Sequence, residues 1–141
     1  MVTKKQTLGE VLDELTVPGE LYEAADPEQR AVRCYACAHR CLIRDGRRGI
    51  CQVRYNRGGV LYVPHGYVAA LQVDPIEKKP FFHVTPGADA LSFGMLGCDF
   101  RCDFCQNWLT SQALRDDAAG ASPRPIPAER LVGLALEHGA S

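Results

Sequence analysis

The sequence predicts an α/β fold: the start of a parallel β/α sheet, preceded by a small cysteine-rich β module. Three observations carry that expectation. Ala90-Leu91-Ser92-Phe93-Gly94-Met95-Leu96 is a short apolar run, as a strand buried on both faces would be, and Gly97 then lets the backbone turn sharply. Helical patterns follow over Gln106 to Leu114 and again from Pro127, and a strand feeding helices opens a parallel α/β sheet. Upstream, four cysteines sit among β-rich runs and turn residues. The organisation expected is a helical segment over 1–30, a cysteine-rich metal-binding β module over 31–80, and the first part of the parallel core over 81–141.

Taken in order, Thr7-Leu8-Gly9-Glu10 has the form of a capping box, and Leu8, Val11, Leu12 and Leu15 follow at helical spacing. A short helix is expected to about Thr16, ended by Pro18-Gly19, with a second over Glu20 to Ala25. Arg30 to Arg57 holds eight arginines against Asp45 alone, a local charge of +7, with Cys34, Cys37, Cys41 and Cys51 spaced C-x2-C-x3-C-x9-C. So short a segment would bury little core by itself, and a metal would supply the missing folding energy. Cys51 to Tyr55 and Val60 to Val63 read as a hairpin over Arg57-Gly58-Gly59, and Tyr67 to Val73 as a further strand. Asp74 to Pro80 is a polar connection, and Phe81 to Val84 could add one more strand. After the helix at Gln106, Arg115 to Pro127 reads as an exposed linker. The last helix should turn Leu131, Val132, Leu134, Ala135 and Leu136 inward and stop at His138-Gly139.

Composition bounds the function. The chain has 141 residues, 46% hydrophobic and 23% charged, with a formal net charge of -1, so no overall field points to nucleic acid or an anionic membrane. No apolar run reaches membrane-spanning length and the N-terminus leads into no signal core, so a cytoplasmic protein is expected. Seven cysteines in such a chain point to metal rather than disulfides, because cytosolic thiols stay reduced.

They divide as four plus three. Cys98, Cys102 and Cys105, spaced C-x3-C-x2-C, could hold three corners of a cubane iron–sulfur cluster and leave the fourth iron open to a substrate or cofactor. The bland alternative is a structural zinc knuckle completed by His83 or by an outside ligand. Cys34, Cys37, Cys41 and Cys51 offer four soft ligands, which suits tetrahedral zinc with no open position. A second cluster and no metal are the alternatives there, and His39 could replace one thiol. A contrasting function is a non-enzymatic zinc-organised basic module that contacts nucleic acid or a protein partner through the arginines, although only Tyr35 and Tyr55 could stack on bases.

The C-x3-C-x2-C loop with Phe104 just before its last cysteine resembles the radical SAM superfamily. Asp74-Pro75-Ile76-Glu77-Lys78-Lys79-Pro80-Phe81-Phe82-His83, then Pro86-Gly87 and Gly97 through Trp108, look like the radical SAM member of the AmmeMemoRadiSam system, which is similar to the activating enzymes of pyruvate formate-lyase. The likeness runs from about Arg33 onward. It implies a partial (β/α) barrel enzyme in which Cys98, Cys102 and Cys105 ligate a [4Fe-4S] cluster, S-adenosylmethionine chelates the fourth iron, and Phe104 sits against the adenine. Reductive cleavage would give a 5′-deoxyadenosyl radical that abstracts hydrogen from a substrate, with an electron donor such as flavodoxin or ferredoxin as partner. The chain stops just after the last helix, so the resemblance implies an N-terminal portion that binds a cluster poorly and does not turn over alone.

Overall fold

The computed structural model describes residues 6–140, which form two compact units: residues 6–65 with 96–122, and residues 66–95 with 123–140.

The first unit opens with α1 (Leu8–Glu14). Its capping box forms as the spacing predicts: Thr7 Oγ1 accepts the Glu10 N–H at 3.3 Å, and Glu10 Oε2 accepts the Thr7 N–H at 2.8 Å. A three-stranded antiparallel sheet follows in the order β1 (Thr16–Pro18), β6 (Val60–Pro64), β5 (Tyr55–Arg57). The expected hairpin forms as β5–β6, but its first arm is Tyr55–Arg57 and not Cys51 to Tyr55, since 51–54 lie outside any strand. Gly58 and Gly59 turn it with φ of 65° and 88°.

A second antiparallel sheet has the order β2 (Tyr22–Asp26), β3 (Ala31–Cys34), β4 (Leu42–Ile43). The helix expected over Glu20 to Ala25 is therefore a strand, because Tyr22 and Ala24 find partners in Cys34 and Val32. Helix propensity over so short a stretch is a weak prior, and tertiary pairing overrides it. Val32, Cys34, Ile43 and Leu61 form a buried cluster, with Tyr22, Ala36, Cys41 and Val63 packed against it. Residues 30–57 thus contribute Val32, Cys34 and Ile43 to an apolar cluster that they complete only with Leu61, Tyr22 and Val63 from outside the segment. Asn56, fully buried, donates to Arg30 O (2.6 Å) and Ile43 O (2.9 Å) and accepts the Gly59 N–H (2.9 Å). It joins β5 to β4 and closes the hairpin turn with its polar atoms satisfied.

The second unit is built on β8 (Ala70–Pro75) and β9 (Asp89–Gly94), paired antiparallel along their whole length from Ala70 opposite Gly94 to Pro75 opposite Asp89. β7 (Tyr67–Val68) pairs with β10 (Arg124–Pro125), also antiparallel, and α3 (Ala128–Glu137) packs on β9.

These pairings overturn the expected fold class. Among the described residues every strand pair is antiparallel, and four small sheets stand where the opening of a parallel β/α barrel was predicted. The apolar run 90–96 is half-buried, with Phe93 largely exposed. The 3-10 turn Ile76–Lys78, and the Ile76 N–H donated to Ala88 O, reverse the chain so that β9 zips back onto β8. A parallel partner would need a crossover, usually helical.

Three smaller expectations change with it. Phe81 to Val84 lies in exposed turns and not in a strand. On α3, Leu131, Leu134 and Ala135 are half-buried, but Val132 and Leu136 face outward at 61% and 74% exposure. The supposed linker buries Ala119 and contributes β10. No helix among the described residues is long and apolar enough to cross a membrane.

The polar connection after β8 is tied by two carboxylates. Asp74 accepts Lys78 Nζ (2.6 Å) and Lys79 Nζ (3.1 Å), and these hydrogen bonds hold its carboxyl below the ordinary aspartate range. Glu77 Oε1 accepts the Gly87 N–H at 2.7 Å, which lowers its carboxyl likewise. A depressed folded value means the contribution is present above the unfolded pKa, about 4, and lost as pH falls through the lower folded values. The thermal midpoint measured from pH 6 down to pH 3 should fall, and Asp74→Asn with Glu77→Gln should flatten part of that fall.

Candidate metal centre

All seven cysteines lie in the first unit, and all are free thiols. The triad loop begins at Gly97, whose φ of 85° only glycine adopts without strain. A Cβ there would stand 2.7 Å from Cys51 O and 2.6 Å from Val53 Cγ1, so the loop starts pressed against the 51–53 turn. The Gly97 N–H donates to Thr110 O at 3.0 Å, closing the base of the loop on α2 (Trp108–Ser111). This helix is one turn long and lies within the helix expected from Gln106.

Within the loop, Cys98 Sγ accepts the Phe100 N–H at 3.4 Å and lies 3.8 Å from Asp99 Oδ1. The Cys105 N–H donates to Cys102 O at 3.3 Å, and Cys105 Sγ meets Ser111 Oγ at 3.3 Å. Cys102 is exposed, while Cys98 and Cys105 are half-buried. Phe104 is 88% exposed.

Beneath the loop lies a polar support that sequence reasoning missed. Gln112, buried, donates from Nε2 to Phe100 O and Ser111 Oγ, each at 3.2 Å. Arg115 Nη1 donates to Phe100 O and to Gln112 Oε1, each at 3.3 Å. Its Nη2 donates to Cys98 O at 2.7 Å and also to Ile50 O. The one available signal was that Arg115 is the lone basic residue between Arg101 and Arg124. It stands instead in a stretch whose composition reads as linker.

The earlier cysteines are arranged differently. Cys34 lies in the apolar core, and its N–H donates to Cys41 O at 3.0 Å. Cys41 Sγ would lie in ordinary contact, 3.8 Å, with a Cβ on Gly49, whose tight neighbour is Ile43 Cδ1 at 3.1 Å. Cys37 and Cys51 are half-buried. His39 spans the two groups: its Nε2 is 3.6 Å from Asp99 Oδ2, and its ring centroid is 5.7 Å from that of Phe100. His83 lies in an exposed turn of the second unit.

Among the described residues, no three His, Cys, Asp or Glu side chains converge into a group that could hold a metal ion. The donor chemistry of 98–105 nonetheless fits a cluster: three soft thiols within eight residues and a backbone N–H already directed at one sulfur. Closing the sulfurs onto a metal is a local ordering step that metal binding itself can drive.

The basic run is largely engaged within the protein. Arg48 makes a two-point contact with Asp13 (2.6 and 2.7 Å) and lies over the Tyr55 ring, while Arg57 covers Tyr55 and Tyr62. Arg33 and Arg40 both approach Glu23, and Arg30 approaches Asp45. Tyr55, one of two candidate stacking residues, is buried against Tyr62. Five of the eight arginines are thus paired or stacked, while Arg44, Arg47 and Arg54 make no ion pair among the described residues.

No protein-family model and no solved structure matches the chain. It is 42% identical over 118 residues to the uncharacterized protein MJ0808 of Methanocaldococcus jannaschii, an alignment covering 83% of this chain and 34% of that protein. A second relative from the same organism, the uncharacterized protein MJ0674, is 29% identical over 84 residues, covering 59% of this chain and 20% of that protein. The chain spans about a third or less of the length of these curated relatives.

Proposed function

We propose that the chain carries the cluster-binding segment of a radical SAM enzyme, with Cys98, Cys102 and Cys105 as ligands of a [4Fe-4S] cluster and S-adenosylmethionine on the fourth iron. The observation that carries this reading is the loop itself. Three thiols stand on eight residues that a positive-φ glycine starts and Arg115 braces through the carbonyls of Cys98 and Phe100. The likeness of 74–83 and 97–108 to the radical SAM group supports it, and no parallel sheet is part of the argument. When bound, the cluster would supply the electron that cleaves S-adenosylmethionine reductively.

The chain's own residues have definable parts. The Phe100 N–H donates to Cys98 Sγ at 3.4 Å and Ser111 Oγ lies 3.3 Å from Cys105 Sγ, contacts that orient two of the three sulfurs. Phe104, exposed on the loop, offers an apolar face for an adenine. Cys34, Cys37, Cys41 and Cys51 are proposed as a separate structural zinc site.

Anaerobic reconstitution with iron and sulfide tests the reading. The chain should take up both in equal amounts at partial occupancy and develop visible charge-transfer absorption, and S-adenosylmethionine should alter the paramagnetic resonance signal of the reduced cluster. Uptake of zinc alone at both cysteine groups would sink it.

A further inference from the structure

We infer that Arg115 is a positioning residue for the cysteine loop, fixing its backbone and placing a cation against the Cys98 carbonyl where the loop begins. The inference rests on the reading of 98–105 as a cluster site. One guanidinium gathers the carbonyls of Cys98 and Phe100 from the loop and that of Ile50, the residue before Cys51. Gln112 steadies it from the side at 3.3 Å and shares the Phe100 carbonyl at 3.2 Å. Arg115 is half-buried and has no carboxylate partner among the described residues, so its charge is spent on carbonyl oxygens.

Two physical consequences follow. The planar, always-protonated fork can hold several oxygens in a fixed arrangement, which the single ammonium of lysine cannot reproduce. It therefore sets the path of the loop between Cys98 and Phe100 and ties it to the turn that carries Cys51. The second consequence is electrostatic. A cubane bound by three thiolates is anionic and gains a further negative charge on reduction, so a nearby cation stabilises the reduced form more. Removing the cation should move the midpoint potential to more negative values.

The test compares the wild-type chain with Arg115→Lys and Arg115→Met. Hydrogen exchange at the Gly97, Phe100 and Cys105 amides reads the loop, and redox titration of the reconstituted cluster reads the charge. Arg115→Met should lower protection at those amides about tenfold, as loss of charged hydrogen bonds implies. It should also shift the potential negative. Arg115→Lys should loosen the loop but keep the potential near that of wild type, which a purely structural role would not produce.

Unchanged exchange and potential in both variants would overturn the inference. If Arg115→Met unfolds the unit, exchange rises in the β5–β6 hairpin as well. The decision then rests on Arg115→Lys, whose loop protection must fall while the hairpin stays protected. If the wild-type chain takes up no cluster, the functional reading fails by itself. A loop that still loosens then makes Arg115 a fastener of the fold and overturns its role toward a cluster.

Discussion

Replacing Cys98, Cys102 or Cys105 singly by alanine should abolish the reconstituted visible absorption and reduce bound iron and sulfide to background. Three protein ligands leave no redundancy, so the loss of one leaves two iron corners without a protein ligand and the cluster open to hydrolysis and oxidation. The replacements should leave the fold nearly intact. Cys102 is exposed, and Cys98 and Cys105 are only half-buried, so little packing is lost with any of them. Cys34→Ala should behave in the opposite way. Its thiol packs with Val32, Ile43 and Leu61 and is also one of the four proposed zinc ligands, so truncation should release that zinc and cost on the order of 1 kcal/mol from the cavity alone, while triad loading persists. Iron and sulfide counts beside a thermal melt on the same samples separate the outcomes. Retention of a full cluster in all three triad variants would end the proposal.

The largest single effect on stability is expected at Gly97. Gly97→Ala combines two costs: a left-handed backbone at φ 85°, and a Cβ 2.7 Å from Cys51 O and 2.6 Å from Val53 Cγ1. The backbone term is about 1 kcal/mol and the overlap adds about 2 kcal/mol more, a large share of a typical domain's stability of about 5–15 kcal/mol. Gly58→Ala isolates the first term, because Gly58 has φ 65° but nothing within 4 Å of the added Cβ. Denaturant melts of the two variants should therefore differ by about 2 kcal/mol, with Gly97→Ala the less stable. Equal melts would show that the 51–53 turn moves aside freely and does not brace the loop.

Legibility in the sequence followed the range of the interaction. The capping box at Thr7 and Glu10, the hairpin over Gly58-Gly59 and the helix after Pro127 were readable because each is decided within a few residues. The misreadings share the opposite property. Tyr22–Asp26 is a strand because β3 is available to pair with it, and β9 runs antiparallel because β8 is folded back beside it. The apolar run 90–96 is equally compatible with a parallel or an antiparallel neighbour, since hydrophobicity carries no information on a partner's direction.

The site shows the same division. Spacing placed Cys98, Cys102 and Cys105 on one loop, and Gly97 announced its turn, since both are local constraints on the backbone. Spacing also grouped Cys34 with three other thiols, and only packing put it into an apolar core. No local motif singled out Asn56, Gln112 or Arg115. Their roles come from carbonyls up to 65 residues away. By itself the sequence determined the cysteine loop, its glycine start and the local caps and hairpin, because backbone dihedrals and near-neighbour spacing encode them. The tertiary structure alone decided the antiparallel pairing, the burial of Cys34 and the bracing of the loop by Arg115. Those depend on which surfaces and polar groups remain unsatisfied once the local pieces have formed.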